Sequence, residues 1–179
     1  MKVFVHVGAH KTGTTSFQVW IRENTEALAA EGVLVPATGT VSPNSGHHNI
    51  AWHLRADPRF KPAWGTLDDL LNEFAVSHAK AAILSAEALE FLADSPSGLR
   101  RLDDELKSAG HHPVYVWVHR LPETYFVSLH AQLNRVGRPT GFFRMISEIL
   151  IVGKLSFPDR SYYFDPAGFA RQWRRVVAS

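Results

Sequence analysis

The stretch VFVHVGAHKTGTTS (residues 3–16) decides the fold of this chain, because it joins an apolar run to a glycine-containing loop and a helix start. Val3 to Val7 is typical of a short buried strand. From Thr14 to about Ala30 the apolar residues recur at helical spacing. Glycines allow a tight curl, and backbone N–H groups at a helix start attract anions. The stretch therefore predicts a strand, an anion-binding loop and a helix.

Six consecutive residues form the candidate anion-binding set. They are Lys11, Thr12, Gly13, Thr14, Thr15 and Ser16. The spacing from Gly8 to Gly13 matches a Walker A loop, in which Lys and then Ser or Thr should follow. Thr14 occupies that lysine position, and no apolar strand ends in an Asp suited to magnesium. The loop therefore predicts phosphate binding but disfavours a magnesium-dependent kinase.

Outside this unit, strand and helix patterns alternate along the chain. Strands are predicted at 81–84 and 114–118, with a brief extended piece at 33–36. Helices are predicted at about 47–55, 66–78, 86–93, 96–109, 122–135, 141–152 and 165–177, with loops between them. Such alternation is typical of a parallel sheet covered by helices on both faces. The expected fold is a three-layer α/β/α domain of the P-loop nucleotide-binding type, spanning residues 1–179 as one unit.

The segment KTGTTSF (residues 11–17) resembles the 5′-phosphosulfate loop of sulfotransferases that use 3′-phosphoadenosine 5′-phosphosulfate (PAPS). The segment ILSAEAL (83–89) is similar to the strand and Ser-x-Glu-x-Leu pattern of the same superfamily. Bacterial sulfotransferase-like proteins often have a phosphate-loop sequence similar to residues 11–17. The resemblance implies transfer of a sulfuryl group from PAPS to a hydroxyl or amine of a carbohydrate or other small acceptor. It requires no metal.

The resemblance also implies a second anion site, for the ribose 3′-phosphate of PAPS. In the family it consists of an Arg at a strand end and a Ser eight residues later, a spacing that Arg120 and Ser128 reproduce. Arg can contact a phosphate through two charge-assisted hydrogen bonds. Ligands of open α/β sheets bind at the carboxyl ends of the strands, where both loops should lie.

Three residues are candidates for catalysis. The resemblance implies that Lys11 holds the 5′-phosphate and neutralises charge on the leaving oxygen. The acceptor must also lose a proton to a base. Glu87, at the end of the second main strand, and His48, after a flexible loop, are equally ranked for that role, since imidazole needs little pKa adjustment.

The amino-acid composition limits the classes of partner and site that this chain can have. The 19 Lys and Arg against 17 Asp and Glu exclude a nucleic-acid scaffold, and the absence of cysteine excludes thiolate metal sites and a cysteine nucleophile. No apolar run reaches the roughly 18 residues typical of a membrane span. We expect a cytoplasmic protein, compatible with a homo-oligomer. The apolar segment at 142–152 is expected to lie in the core, with an acceptor lid or a dimer face as alternatives.

Two other functions stay open on the residues alone. A P-loop small-molecule kinase or nucleotide hydrolase would bind ATP more tightly with magnesium. A non-catalytic nucleotide-binding module would bind 3′-phosphoadenosine 5′-phosphate and transfer nothing. Family members usually continue with a further strand and helix after a segment like Tyr162–Trp173, so the resemblance implies a fragment incomplete at its C-terminus, a naturally short member, or a subunit that completes its site by association.

Overall fold

A computed structural model describes residues 1–41, 46–138 and 140–178. Its strands and α-helices follow in the order β1 (Lys2–His6), α1 (Thr14–Glu23), α2 (Thr25–Ala30), β2 (Val33–Leu34), α3 (His48–Leu54), α4 (Leu67–Val76), β3 (Ala81–Ser85), α5 (Pro96–Ser108), β4 (His112–Val116), α6 (Pro122–Arg135), α7 (Phe142–Val152), β5 (Lys154–Phe157), β6 (Arg160–Tyr163) and α8 (Pro166–Val177). Two 3₁₀ helices lie at Pro62–Trp64 and Glu87–Asp94. No helix in these ranges is long and apolar enough to cross a membrane.

Four parallel strands form the central sheet, in the order β2-β3-β1-β4, and helices flank it. Strand β1 pairs with β3 on one side and with β4 on the other. Its Val3 lies opposite Ala82 of β3 and Pro113 of β4. Because all strands are parallel, β1, β3 and β4 end at the same edge, where the candidate loops begin. The expectation of an α/β fold with a parallel sheet is confirmed.

The two faces of the sheet differ in burial. Val3 and Val5 point into the main core, while Phe4 between them is 37% exposed. The main core joins that face of the sheet to α3, α4, α5 and α8. On the other face, His6 meets Phe17 of α1 edge-on, with the ring centroids 4.8 Å apart. The alternation in β1 thus separates a fully buried face from a partly covered one.

A second apolar cluster joins α6, α7 and an antiparallel hairpin formed by β5 and β6. The sequence pattern predicted a loop here, and that prediction was wrong. Leu155 pairs opposite Tyr162, and both side chains are buried in the cluster. The carboxylate of Asp94 accepts hydrogen bonds from the N–H of Ser161 at 2.7 Å and from the hydroxyl of Tyr163 at 2.9 Å. These distant contacts stabilise a hairpin that local pattern does not reveal.

Three other predicted elements have different bounds or type. The helix predicted from residue 14 to 30 is interrupted at Asn24, because the Thr25 hydroxyl donates to the carbonyls of Ile21 and Arg22 at 3.1 and 2.9 Å. The segment predicted as a helix at 86–93 is a 3₁₀ helix. The third main strand begins at His112, two residues early, since an edge strand tolerates Pro113.

Candidate functional site

The loop after β1 is held at the carboxyl edge of the sheet by a backbone bond to the segment after β4 and by a side-chain bond within the loop. The N–H of Ala9 donates to the carbonyl of Val118 at 3.1 Å, and the Thr12 hydroxyl donates to the carbonyl of Ala9 at 2.6 Å. Lys11 and Gly13 both have left-handed backbone conformations, with φ of 66° and 85°. At Gly8 a Cβ atom would overlap Cγ2 of Thr14, so only glycine fits there.

The loop leads into the open N-terminus of α1. Gly13 precedes the helix, and no side chain caps it. Thr15 and Ser16, in the first turn, are exposed. The first N–H groups of a helix have no partner within it and carry partial positive charge. This end of α1 therefore offers N–H and hydroxyl donors to an anion.

The two sequence-predicted anion sites meet in space. Nη1 of Arg120 donates to the carbonyl oxygen of Lys11 at 3.1 Å, and Nε donates to the Thr124 hydroxyl at 3.2 Å. A cavity of about 320 Å³ lies between the two loops, lined by Lys11, Thr12, Gly13, Val118, His119 and Arg120. Ser128 is half-buried on α6 and is not among the described residues that line this cavity.

Glu87 is close to the start of α1. The buried hydroxyl of Thr14 donates a hydrogen bond to Oε1 of Glu87, so this hydroxyl is used within the protein. The negative charge of Glu87 also acts on His6 and His48. Burial lowers the pKa of both imidazoles, and the nearby carboxylate partly opposes that shift. The two candidate bases, Glu87 and His48, thus act on each other electrostatically, and neither is among the described residues that line the cavity at Lys11 and Arg120.

The ring of His48 is placed by an aromatic neighbour. It stacks on Trp52, one turn further along α3, with the centroids 5.9 Å apart and the planes 28° from parallel. The guanidinium of Arg59 lies over the ring of Trp52, 5.0 Å from its centroid. Burial is the largest cause that lowers the pKa of His48, and the positive charge of Arg59 acts in the same direction. A neutral imidazole at neutral pH can accept a proton.

A buried carboxylate supports the loop, and sequence reasoning missed it. Oε2 of Glu90 accepts from the backbone N–H of His10 at 3.1 Å and lies 2.9 Å from Nδ1 of its ring. Glu90 is fully buried, and burial raises the pKa of its carboxyl group. The His10 ring also contacts Phe91 and Tyr162, at centroid distances of 4.7 and 5.4 Å. His10, the residue before Lys11, is therefore held by Glu90 on one side and by two aromatic rings on the other.

A second buried polar residue near the site is His47, which lies beside β3. The N–H of Ser85 donates to Nδ1 at 3.0 Å, and Nε2 lies 3.0 Å from the carbonyl of Pro36. Nδ1 also lies 3.1 Å from the carbonyl oxygen of Ser85, so both ring nitrogens have backbone partners. The positive charge of Arg22, 3.1 Å from Nε2, adds to the effect of burial. Together they lower the pKa of His47 to about 4.

We expect acid to destabilise the protein through His47. Its imidazole takes up a proton at the ordinary pKa of 6.5 when unfolded but only near 4 when folded. The unfolded state therefore binds more protons between these values, so stability present above pH 6.5 is lost as the pH falls towards 4. The loss from pH 7 to pH 5 should be about 2 kcal/mol. Urea unfolding of the wild type and of His47→Gln at both pH values measures it.

The exposed His78 supplies the matched control, since His78→Gln should keep the wild-type pH dependence. A loss of stability in His47→Gln equal to that of the wild type would contradict the assignment of this pH dependence to His47.

Among the described residues, no three His, Asp or Glu side chains converge in an arrangement that could hold a metal ion. Comparisons of the chain with protein-family models, with curated proteins and with solved structures found no match. The case for function therefore depends on the geometry of the loops at the sheet edge.

Proposed function

We propose that this protein is a sulfotransferase that takes the sulfuryl group of PAPS, on a three-layer α/β/α scaffold of the P-loop nucleotide-binding type. One observation carries the proposal. The loop at Lys11 and the segment after β4 that carries Arg120 line the same cavity and are joined by a hydrogen bond. Such a cavity suits a nucleotide with phosphates at two positions, because each loop supplies positive charge and hydrogen-bond donors.

In this proposal the two loops divide the phosphates between them. Lys11, the hydroxyls and N–H groups of residues 12–16 and the start of α1 bind the 5′-phosphosulfate. Arg120 binds the 3′-phosphate, and Ser128 adds a hydroxyl from α6. The hydroxyls of Thr12 and Thr14 donate within the protein, so their direct contribution is through their N–H groups.

Sulfuryl transfer needs charge stabilisation and a base. The bond between the acceptor atom and sulfur forms as the bond between sulfur and the 5′-phosphate oxygen breaks, and that oxygen keeps the electron pair. Lys11 stabilises the charge that develops there. The acceptor proton goes to Glu87 or His48. The acceptor is a hydroxyl or amine of a carbohydrate or other small molecule.

Calorimetric titration of the wild-type protein tests this function. We expect 3′-phosphoadenosine 5′-phosphate to bind at micromolar concentration with no change on adding EDTA, since the proposal uses no metal. ATP with magnesium should bind at least about tenfold more weakly, because it lacks the 3′-phosphate. If ATP binds and magnesium strengthens it, while the 3′-phosphorylated nucleotide does not bind, the kinase or nucleotide-hydrolase alternative is correct instead.

A further inference from the structure

The helix α7 has two apolar faces, and only one of them lies against the protein. Met145 is buried and Ile149 is half-buried in the second apolar cluster. Ser147 lies midway between them in sequence, and at about 100° per residue it points away from the cluster. Around it, Phe143 is 81% exposed, Leu150 79% and Ile151 81%. The core predicted for this segment therefore holds for one face alone.

An exposed apolar surface of this kind marks an interaction site. Three neighbouring large side chains of α7 each leave about four-fifths of their area in solvent. Leu150 and Ile151 follow Phe143 by seven and eight residues, the spacing of one helix face. We name this surface, made of Phe143, Ser147, Leu150 and Ile151, the outer face of α7.

The outer face is arranged symmetrically about its centre. Phe143 lies four residues before Ser147 and Leu150 three residues after it, and at about 100° per residue both lie on the same side of Ser147. If two copies of α7 pack antiparallel with Ser147 at the crossing point, Phe143 of each copy lies beside Leu150 of the other. The small side chain at the centre lets the two helices approach closely. A surface that fits itself under a two-fold rotation is what an isologous dimer requires.

Charge on the flank of this face favours the same partner. Arg144 and Glu148 lie one turn apart on one side of the outer face. Oε1 of Glu148 accepts from the N–H of Ser156 at 2.8 Å, which holds the carboxylate on this side of α7. In the antiparallel arrangement the same side of both copies meets, so Arg144 of each copy approaches Oε2 of Glu148 of the other. A membrane surface or an acidic partner would match only one of these two charges, whereas a second copy matches both.

We propose that the chain forms a two-fold symmetric dimer through the outer face of α7, crossing at Ser147. The proposal is independent of sulfuryl transfer, because the outer face shares no residue with the cavity at Lys11 and Arg120. One helix pair buries less than the roughly 1,200 Å² of a stable standard interface. The dimer should therefore be reversible, and its fraction should rise with protein concentration.

The absence of cysteine makes disulfide cross-linking a direct test. Helices that pack 8–10 Å apart bring facing Cα atoms within about 6 Å, the distance that a disulfide spans. Under mild oxidation we expect Ser147→Cys to form a covalent dimer. The control is Val76→Cys, at the 78% exposed end of α4, which should stay monomeric. Equal cross-linking of both variants would overturn the proposal, since it would reflect random collision.

Sedimentation velocity of the unmodified chain gives a second readout. Wild type should shift from monomer to dimer with concentration. Phe143→Glu and Leu150→Glu should each weaken the dimer by at least about 30-fold, with unchanged circular dichroism because both sites are exposed. A wild type that stays monomeric up to about 100 µM, or a dimer that survives both substitutions, would overturn the proposal and assign the outer face to a different partner.

Discussion

Replacing Lys11 by Ala should slow the cleavage of PAPS about 100- to 1,000-fold, the effect of removing one preorganised charge from a developing oxyanion. Lys11 lines the cavity that both candidate anion loops share. In the proposed mechanism its charge acts most strongly in the transition state, so the affinity for the product nucleotide should fall less than the rate. The measurement is release of 3′-phosphoadenosine 5′-phosphate from PAPS at saturating concentration, with water as the acceptor.

Two further variants make this result specific to the Lys11 charge. Lys80→Ala removes an exposed lysine just before β3, at the opposite edge of the sheet, and should leave the rate unchanged. Lys11→Gly suits the left-handed backbone at this position and removes only the side chain. A wild-type rate in both Lys11 variants would contradict its role in charge stabilisation.

Glu90→Ala should lower the free energy of unfolding by about 2–5 kcal/mol, because it leaves buried hydrogen-bonding groups without a partner and creates a cavity. Glu90 is fully buried and holds both the backbone N–H and the ring of His10. The substitution leaves these groups without their acceptor and opens a cavity beside Phe91. Urea unfolding at neutral pH measures the effect.

Glu90→Gln should lose less stability, because its amide oxygen can still accept from the N–H of His10. The exposed Glu31 is the control, and Glu31→Ala should stay within about 0.5 kcal/mol of the wild type. If Glu90→Ala also stays within about 1 kcal/mol of the wild type, the contact with His10 does not stabilise the loop as described.

Sequence pattern predicts the elements that local chemistry determines. The loop at Gly8–Gly13 follows a strand and opens a helix, as expected from its glycines and apolar run. Thr66 and Asp69 form a capping box at the start of α4, within the helix predicted at 66–78, and each side chain bonds the other's backbone. Pro122 begins α6 at the residue predicted, because proline fits the first turn of a helix.

Contacts between distant residues account for what the pattern does not reveal. The hairpin of β5 and β6 depends on Asp94, more than sixty residues upstream of its two hydrogen-bond donors. Glu90 sits in an apolar 3₁₀ segment, and nothing local links it to His10, eighty residues earlier. His47 bonds the backbone of Ser85 and Pro36, so its role exists only in the folded chain. Such pairings need tertiary structure.

The candidate site also combines features that the sequence predicts with features that only the tertiary structure reveals. The glycine-containing loop predicted that Lys11 would contact an anion, and the family resemblance implied the same for Arg120. Parallel strands bring the two loops to one edge of the sheet. That Arg120 bonds the carbonyl of Lys11, and that Glu87 accepts from Thr14, follows from side-chain geometry alone. The central claim is that Lys11 and Arg120 bind the two phosphate groups of one nucleotide.

A binding cycle tests that claim most directly. The affinities of 3′-phosphoadenosine 5′-phosphate and of AMP are measured for the wild type, Arg120→Ala and the control Arg135→Ala, at the far exposed end of α6. We predict a wild-type preference for the 3′-phosphorylated nucleotide of about 10- to 100-fold, which Arg120→Ala abolishes while the affinity for AMP stays the same. An undiminished preference in Arg120→Ala would contradict the account.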